Sequence, residues 1–529
     1  MTAPRARTSE SLKVAFKSWR FGAVTLLSLS SGAPLGLVLI GVPAFLAMAG
    51  IDIKTIGLVT LAQAPYAFKF IWSPLLDRFR PPFLGRKRGW VLVWQVVLAG
   101  SVGLLAAHAS NPQAGAVAAL TMLIAFASAS QDIAIDAYAV ESLRPAEQGL
   151  AAGSRTALYR VGMWLAGNIS ISVAPYLGWG VTLALQALIY LALLPVTVLA
   201  PEPEVVPPSP RTLRDAVWAP VVGFFQRSTA LELAGFLIVY KLADNLAIAL
   251  IRPFLIQKGY SPIDVGIASG TISLVGIIGG TFLGGVLSVT LGLGRALWLF
   301  GALQALSGLG YAVVASVEVS RPIMYLAVGV EATTIGLATG ALDVMLLRLT
   351  DKRFSATQYA LLSSTVAIGR TVVGPIAGFL VDAIGWRQFF IFTVFCAIPG
   401  LLVLQRIAPF GAREITAEPP VAESPSRPPL TRLGLVARGV TWTLGGGAFA
   451  ALVSAGLRVL KASHAGAPTA FGATLVGLAS PTSVEDWVGL ASLAAFGLIV
   501  GFAAAAHGAA RRGVAPRVSA SAAAGTSPR

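Results

Sequence analysis

The chain has 529 residues, of which 56% are hydrophobic and 12% are charged, and its mean hydropathy is +0.77. Soluble domains carry about 25% charged residues, so this composition excludes a soluble globular protein and predicts a polytopic membrane protein. The formal net charge is +16. The basic residues stand mainly at the ends of apolar runs, which indicates a role in topology and lipid contact rather than nucleic-acid binding.

Cysteine and histidine are scarce, which argues against metal and disulfide chemistry. Cys396 is the only cysteine, so we expect no intrachain disulfide and no cysteine-based metal site. His108, His464 and His507 are far apart in the sequence, so we expect no metal centre. No cleavable signal peptide is evident at the N-terminus. Because the chain lacks a Gly-x-x-x-x-Gly-Lys-Ser/Thr loop, we expect no direct use of ATP and no cofactor.

Apolar runs of about 20 residues, enough to cross a bilayer, recur along the chain. The fold class predicted from them is an all-α polytopic membrane protein. We predict fourteen transmembrane helices, at residues 21–49, 56–76, 90–108, 115–138, 149–174, 181–199, 231–256, 264–290, 296–316, 322–347, 356–383, 387–405, 434–459 and 484–507.

Proline-rich and charged stretches divide the chain into segments. The predicted segments are an N-terminal arm (1–20), a six-helix bundle (21–199), a linker (200–230), a second six-helix bundle (231–405), a second linker (406–431), two extra helices (432–510) and a disordered tail (511–529). Basic residues concentrate in the arm and in the loop 77–89, whereas the loops 109–114 and 175–180 have none. By the positive-inside rule, both termini are predicted to be cytoplasmic.

Polar residues recur in the two halves of the chain at a nearly constant offset of 210 to 211 residues. The matching pairs are Asp132 with Asp343, Gln148 with Gln358, Ser154 with Ser364, and Arg160 with Arg370. Two related six-helix halves joined by a central linker resemble the major facilitator fold. That resemblance implies halves related by a pseudo-two-fold axis, with a substrate site between them near the middle of the membrane.

Two aspartates stand one helical turn apart at the end of a long apolar run. Residues 114–129 carry no charge, and Asp132 and Asp136 follow them. A spacing of four residues places both carboxylates on one helical face. Because burying a carboxylate in hydrocarbon costs a few kcal/mol, we expect both to face a cavity, a partner or a proton route.

Other ionisable residues also fall inside the predicted helices, and we expect them to pair across a central cavity. They are Lys69, Arg155, Arg160, Lys241, Asp244, Glu331, Asp343 and Arg370. The roles of the Lys241–Asp244 pair and of Lys69 each have two open interpretations. Lys241 and Asp244 could either serve transport or neutralise each other along one helix. Lys69 could either bind an anionic substrate group or extend to the membrane interface.

The loop 72–88 combines an aspartate with a basic cluster. Asp77 could accept hydrogen bonds from a neighbouring helix N-terminus and pair with basic residues, which would latch one conformation. The alternative is a plain basic loop that only sets topology. Helix breaks are predicted at Ser28 to Gly36 and at Gly374-Pro375, where backbone could line a cavity.

Several motifs carry a family resemblance, in order along about residues 20–405. They are Asp52 to Gly57, Tyr66 to Arg78, Pro81 to Trp90, Ala129 to Tyr138, Tyr159 to Gly162, Tyr240 to Asp244, Phe354 to Ser363, and Gly369-Arg370. These motifs resemble the AmpG muropeptide permeases and their acetyl-coenzyme A transporter relatives. Ala139 departs from the family, which often has a basic residue at that position.

The resemblance implies a proton-driven importer in the bacterial inner membrane. Its substrates would be N-acetylglucosaminyl-1,6-anhydro-N-acetylmuramyl peptides, taken up for cell-wall recycling and, in many bacteria, for β-lactamase induction. The expected partners are this substrate, protons and the lipid bilayer, with no nucleic acid, and the expected state is a monomer. Substrate carboxylates would suit basic ligands, and sugar rings would suit aromatic faces such as Trp72.

The resulting site prediction has three parts. Substrate binding is assigned to Lys69, Tyr66, Gln131, Tyr159, Arg160, Tyr240, Lys241, Glu331 and Arg370. Proton coupling is assigned to Asp132, Asp136 and Asp244, and gating to Asp77, Arg78 and Arg86.

Other functions stay open beside the leading one. The same scaffold could carry another bulky anion, such as acetyl-coenzyme A or a siderophore-like compound. A membrane acyltransferase would need a catalytic histidine or Asp/His pair near a membrane surface, and no such pair is evident in the sequence. A transport-dead receptor would have little reason to keep so many buried charges.

Overall fold

The computed structural model describes residues 18–51, 62, 64–204, 209–210, 212–248, 250–415, 428–464, 469–482 and 484–512. Within this part of the chain, eleven helices are long and apolar enough to cross a membrane. One of them, Glu147–Leu199, contains two of the predicted spans, and the predicted helices 56–76 and 356–383 are not among the eleven. The all-α prediction is confirmed, whereas the count of fourteen is confirmed only in part.

The described residues form two compact units. One unit comprises Met1–Val217 and Glu232–Thr416, and the other comprises Trp218–Leu231 and Ala417–Arg529. The two predicted six-helix halves belong to the first unit, and the two extra helices belong to the second. Residues 218–230, predicted as part of the first linker, group with the extra helices, and so does Leu231.

The first half of the chain contains nine α-helical segments within its described residues. They are α1 (Trp19–Gly36), α2 (Val42–Met48), α3 (Ala64–Phe68), α4 (Ser73–Arg78), α5 (Arg86–Ala107), α6 (Ala114–Ser142), α7 (Pro145–Trp164), α8 (Ser170–Ala192) and α9 (Leu194–Leu199). Five-residue π-helical turns join α1 to α2 at Leu37–Gly41 and α7 to α8 at Leu165–Ile169.

The linker helix α10 (Leu213–Phe225) precedes the second half. The described helices there are α11 (Ala230–Val239), α12 (Leu242–Ile248), α13 (Ile251–Gln257), α14 (Pro262–Gly266), α15 (Ser273–Thr290), α16 (Leu293–Ser307), α17 (Leu309–Ser316), α18 (Arg321–Leu349), α19 (Ser355–Cys396) and α20 (Ile398–Ile407). The second unit adds α21 (Arg432–His464), α22 (Phe471–Ala479) and α23 (Val484–Arg512).

Both predicted helix breaks are misplaced. Helix α1 continues through Pro34, and the change to π-helical hydrogen bonding comes afterwards, at Leu37–Gly41. Helix α19 runs through Gly374 and Pro375 without a break, and it departs from helical geometry at Gly385, where φ is +75°, in the gap between the predicted helices 356–383 and 387–405. A π-turn re-satisfies backbone groups close to a proline, so the chain need not break at the proline itself. Glycine adopts a positive φ without steric cost, which explains the break at Gly385.

Two predicted helices are divided next to a lysine. In the predicted helix 56–76, the described backbone consists of α3, a short 3₁₀ segment at Lys69–Ile71, and α4, while residues 56–61 and 63 lie outside the described part of the chain. In the predicted helix 231–256, α11 ends at Val239 and α12 begins at Leu242, with Lys241 between them. Irregular backbone inside a membrane is tolerated where it lines a cavity, so both lysines are candidates for a site.

Glycine residues bring helices of the two halves into close contact. A Cβ atom added to Gly285 of α15 would lie 2.1 Å from the carbonyl oxygen of Gly149 in α7. One added to Gly153 would lie 2.5 Å from the Cα of Phe282. Within the second half, a Cβ atom added to Gly284 would lie 2.2 Å from the carbonyl oxygen of Leu337, in α18. Small residues allow such helices to pack backbone against backbone.

If the chain is the transporter that the family resemblance implies, we expect Gly285→Leu to reduce transport about tenfold or more, because overpacking costs roughly 1–3 kcal/mol and the obstructing atoms here belong to a backbone that cannot rotate away. Gly279 lies on the same helix and has no atom within 4 Å of an added Cβ, which makes Gly279→Leu the matched control. Uptake per molecule of membrane-inserted protein is the measurement. Equal uptake by the two variants would show that the contact between α7 and α15 tolerates expansion.

Helix termini of the first half meet the end of α9 at one end of the bundle. Arg20, in the first turn of α1, lies 2.9 Å from Glu204. Arg144, the residue before α7, lies 2.5 Å from the same carboxylate. Arg88, at the start of α5, lies 2.5 Å from Glu202. The hydrogen bond from Arg144 and the one from Arg20 lower the pKa of Glu204 below its usual value. These contacts attach residues 200–204 to the ends of three helices.

Candidate functional site

A cavity of about 350 Å³ lies between the two halves of the first unit. Its lining contains four basic and four acidic side chains. They are Lys69, Arg155, Arg160 and Lys241, and Asp132, Asp136, Asp244 and Asp343. A hydrophobic bundle would not retain eight ionisable groups at one place unless they compensate one another or serve a ligand.

One lysine joins both aspartates of α6. The Lys69 Nζ atom lies 2.6 Å from Asp132 Oδ2 and 3.6 Å from Asp136 Oδ2. Ser31 donates a second hydrogen bond to Asp132, and Arg155 forms a hydrogen-bonded ion pair with Asp136. The side chain of Lys69 is only 10% exposed. Lys69 therefore lies deep in the bundle and faces the cavity, which excludes the interfacial placement left open by the sequence.

The second half contributes its own ion pair to the cavity. Lys241 Nζ lies 3.3 Å from Asp244 Oδ2, and it also donates to Gln304 Oε1 at 3.2 Å and to the carbonyl oxygen of Ile335 at 3.4 Å. Lys241 and Asp244 thus neutralise each other along the chain and at the same time line the cavity. The two interpretations of this pair are compatible.

One hydrogen bond crosses between the halves inside the cavity. The Thr156 hydroxyl, on α7, donates to Asp343 Oδ2, on α18, over 2.7 Å. Asp343 was noticed in the sequence as a buried charge but was not assigned to the site. The repeat that pairs it with Asp132 is the signal that could have placed it there.

Cavity residues of α7 follow a helical repeat that the sequence prediction used only in part. The lining residues of this helix are Ala152, Arg155, Thr156, Tyr159 and Arg160. These positions are separated by three, one, three and one residues, which is the pattern of one helical face. Tyr159 and Arg160 were predicted, and the same face would have added Arg155 and Thr156. From α12 and α19, the cavity also gains Asn245 and Tyr359.

Three predicted contacts of the first half lie outside the cavity lining. Gln131 donates from Nε2 to Ser30 Oγ over 2.8 Å, within the first half. Trp72 donates to Ser130 Oγ over 3.0 Å. Tyr66 packs against the apolar core of the first half. Adjacent helix positions differ by about 100° in direction, so Gln131 points away from the cavity that Asp132 faces.

Two predicted contacts of the second half also lie outside the cavity lining. The Tyr240 hydroxyl donates to the carbonyl oxygen of Leu297 over 2.9 Å. Glu331 accepts a hydrogen bond from the Tyr311 hydroxyl, among buried side chains. The side chain of Arg370 lies outside the part of the chain that the structure describes.

Asp77 binds the N-terminus of α19 and thereby connects the halves at one end. Its fully buried carboxylate accepts hydrogen bonds from the backbone N–H groups of Ala356 and Thr357, at 3.2 and 2.8 Å, and from the Thr357 hydroxyl at 2.8 Å. Lys87 Nζ lies 2.6 Å from the same carboxylate. A carboxylate at a helix N-terminus is favourable because it compensates the helix dipole.

Glu141 makes a second connection beside Asp77. It pairs with Arg86 and accepts a hydrogen bond from Ser355 Oγ at 2.5 Å. We call this cluster the latch, and it consists of Asp77, Arg86, Lys87, Glu141, Ser355, Ala356 and Thr357. Arg78, also predicted to gate, donates to the carbonyl oxygen of Pro210 at 3.2 Å, in the linker.

Comparison with known proteins agrees with the fold. Residues 24–370 match the family model of the Major Facilitator Superfamily. Over 399 residues the chain is 39% identical to the anhydromuropeptide permease of Escherichia coli K12, which covers 75% of this chain and 81% of that relative. The chain belongs to the AmpG family of the Major Facilitator Superfamily.

Further relatives support this assignment. The putative transporter AmpG 4 of Rickettsia conorii is 29% identical over 401 residues, covering 74% of this chain and 96% of that protein. Among solved structures, the fucose:proton symporter FucP of E. coli superposes with a TM-score of 0.58 at 13% identity, covering 73% of this chain and 98% of that one. The major facilitator fold is therefore confirmed, and this AmpG-family chain is a multi-pass membrane transporter.

Proposed function

We propose that this transporter imports N-acetylglucosaminyl-1,6-anhydro-N-acetylmuramyl peptides across the bacterial inner membrane by proton symport, for cell-wall recycling. The observation that carries the proposal is the cavity with four basic and four acidic side chains. The 39% identity to the E. coli anhydromuropeptide permease supports this choice of substrate.

The balance of charges favours coupling between an anionic substrate and a proton. With all eight groups ionised, the charged lining of the cavity sums to zero. A muropeptide brings carboxylates, and uncompensated charge is costly in a poorly solvated cavity. Uptake of a proton by one aspartate compensates a substrate carboxylate, because a nearby negative charge favours the neutral form of a carboxyl group. Substrate and proton would therefore bind cooperatively.

Basic side chains of both halves are the proposed ligands of the substrate carboxylates. Lys69 and Arg160 contribute from the first half, and Lys241 from the second. Tyr159 offers an aromatic face at the same wall. Ligands on both halves would draw the halves together around the substrate, as alternating access requires.

The latch is the proposed gate on the cytoplasmic side. It lies at the end of the bundle that carries the basic loop 77–89, which the positive-inside rule assigns to the cytoplasm. The same rule places both termini there. While Asp77 binds the N-terminus of α19, the two halves are held together at that end. Release of substrate into the cytoplasm would therefore require the latch to open.

Uptake of labelled anhydromuropeptide into right-side-out vesicles with an acidic exterior tests the proposal. We expect the parent to concentrate the substrate and a protonophore to abolish this accumulation. Asp132→Asn and Asp136→Asn should both lower uptake, because each breaks a cavity ion pair. Asp264→Asn is the control, since Asp264 pairs with Arg321 outside the cavity lining.

Two results would count against the proposal. Uptake by the parent that ignores the gradient would remove the symport claim while keeping the substrate. Uptake of acetyl-coenzyme A without uptake of anhydromuropeptide would show that the proposed substrate is wrong, while the proposal that the protein is a carrier would stand.

A further inference from the structure

Asp343 differs from the other carboxylates of the cavity in its partner. Asp132 and Asp136 have Lys69 and Arg155, and Asp244 has Lys241, all within ion-pair distance. Among the described residues, the hydrogen-bond partner of Asp343 is the Thr156 hydroxyl, and no lysine or arginine nitrogen forms an ion pair with it. A carboxylate without its own cation is the one whose charge is least compensated.

The helices around Asp343 carry charged groups that act on it from outside ion-pair distance. Arg155 of α7, Asp136 of α6 and Lys241 are close enough for their charges to act on Asp343. Tyr359 of α19 lines the same cavity, whereas α15 contributes only Ile277 to the lining and α16 contributes no residue. Arg155 and Asp136 already pair with each other, and Lys241 pairs with Asp244, so the effects of these charges on Asp343 partly cancel.

Asp343 also lies where the halves touch. Its partner Thr156 belongs to α7, and both residues are close in sequence to glycines at the contact between α7, α15 and α18. A hydrogen bond to an ionised carboxylate is roughly twice as strong as one between neutral groups. The protonation state of Asp343 therefore sets the strength of a bond between the two halves, inside the substrate cavity.

We propose that Asp343 is the carboxylate that carries the coupled proton. It binds a proton from the outer side as the anionic substrate enters, its bond to Thr156 weakens, and the halves rearrange. The proton leaves to the cytoplasm with the substrate, and the ionised carboxylate binds Thr156 again. This inference rests on the proposed symport, and it assigns the proton to a residue other than Asp132, Asp136 and Asp244, which keep their cations.

Asp343→Asn tests the inference in proteoliposomes, because asparagine preserves the size of the side chain and fixes the neutral state. Two assays are compared: exchange of labelled for unlabelled anhydromuropeptide without a gradient, and accumulation driven by a pH gradient. We expect the variant to keep exchange and to stop accumulating above the outside concentration. Asp343→Glu, which can ionise, should recover part of the accumulation.

Any other combination of results in the exchange and accumulation assays overturns the assignment of the proton to Asp343. Gradient-driven accumulation by Asp343→Asn would show that another group carries the proton, while the symport itself stands. Loss of exchange together with accumulation, in protein that inserts and purifies like the parent, would show that Asp343 serves binding or packing. A parent that exchanges substrate but ignores the gradient would remove symport as well. Thr156→Val removes the interhelical bond but leaves Asp343 able to ionise, so it should keep exchange and accumulate less than the parent. Accumulation equal to that of the parent would show that this bond is not part of the coupling.

Discussion

Replacing Lys69 with methionine is expected to reduce transport at least a hundredfold. Lys69 is the cation that bridges Asp132 and Asp136, at 2.6 and 3.6 Å, and its side chain is almost fully buried. Removing one partner from a buried ion pair costs about 3–5 kcal/mol, since the remaining charge is left uncompensated. A loss of that size corresponds to a factor of roughly a hundred or more in an equilibrium constant.

Uptake per inserted molecule measures this effect, and two further variants make it specific. Lys258→Met removes a lysine whose Nζ donates to the carbonyl oxygen of Ala315, outside the cavity lining, and should transport like the parent. Lys69→Met combined with Asp132→Asn should insert into the membrane better than Lys69→Met alone, because it neutralises the carboxylate that has lost its cation, whereas Asp136 keeps Arg155. Normal transport by Lys69→Met alone would mean that the ion network is not needed.

The second large effect is expected for Asp77→Asn, which should release the latch. The carboxylate accepts four hydrogen bonds or ion-pair contacts. Without it, Lys87 would keep a hydrogen bond to the carbonyl oxygen of Leu76, at 3.3 Å, and a distant carboxylate, Glu141, at 3.8 Å. Leaving Lys87 poorly compensated should cost about 3 kcal/mol in the latched conformation. We expect the cytoplasmic end to open more often and uptake to fall about tenfold or more, since each 1.4 kcal/mol corresponds to a factor of ten.

Thiol labelling measures the opening directly. Cys396 is the only cysteine, so a Cys396→Ser background allows Ser363→Cys, on the cavity wall, to be labelled selectively. An impermeant reagent on the cytoplasmic side should react faster when Asp77→Asn is added. Asp351→Asn is the matched control, because its ion pair with Arg353 stays within one loop at the same end. Equal labelling in all three backgrounds would contradict the gating role of Asp77.

Hydropathy sufficed to predict most of the helices, because spanning a bilayer demands long apolar runs. It could not place the π-helical turn at Leu37–Gly41, since that turn depends on backbone hydrogen bonding. The gap between the predicted helices 356–383 and 387–405, by contrast, does contain the positive-φ residue Gly385. The helix α22, Phe471–Ala479, was missed because nine residues are too short to register as a span. The division at Lys241 was hidden within an apolar run of otherwise suitable length.

The charged residues of the site were visible in the sequence, but their partners were not. Buried charge alone singled out Lys69, Asp132, Asp136, Lys241 and Asp244, and all of them line the cavity. Pairing Arg155 with Asp136, or Thr156 with Asp343, requires knowing which faces of α6, α7 and α18 meet. Family resemblance added Gln131, and buried charge also added Glu331, but the side chains of both turn toward partners elsewhere.

Proton movement coupled to substrate entry tests the central claim most directly. The purified protein is placed in liposomes that contain a pH-sensitive dye, at equal pH inside and outside and with the membrane potential clamped to zero. Adding anhydromuropeptide outside is predicted to acidify the interior at a rate that follows substrate entry, because the substrate enters together with the proton that an aspartate of the cavity has bound. Entry of labelled muropeptide with no change in internal pH would contradict the account.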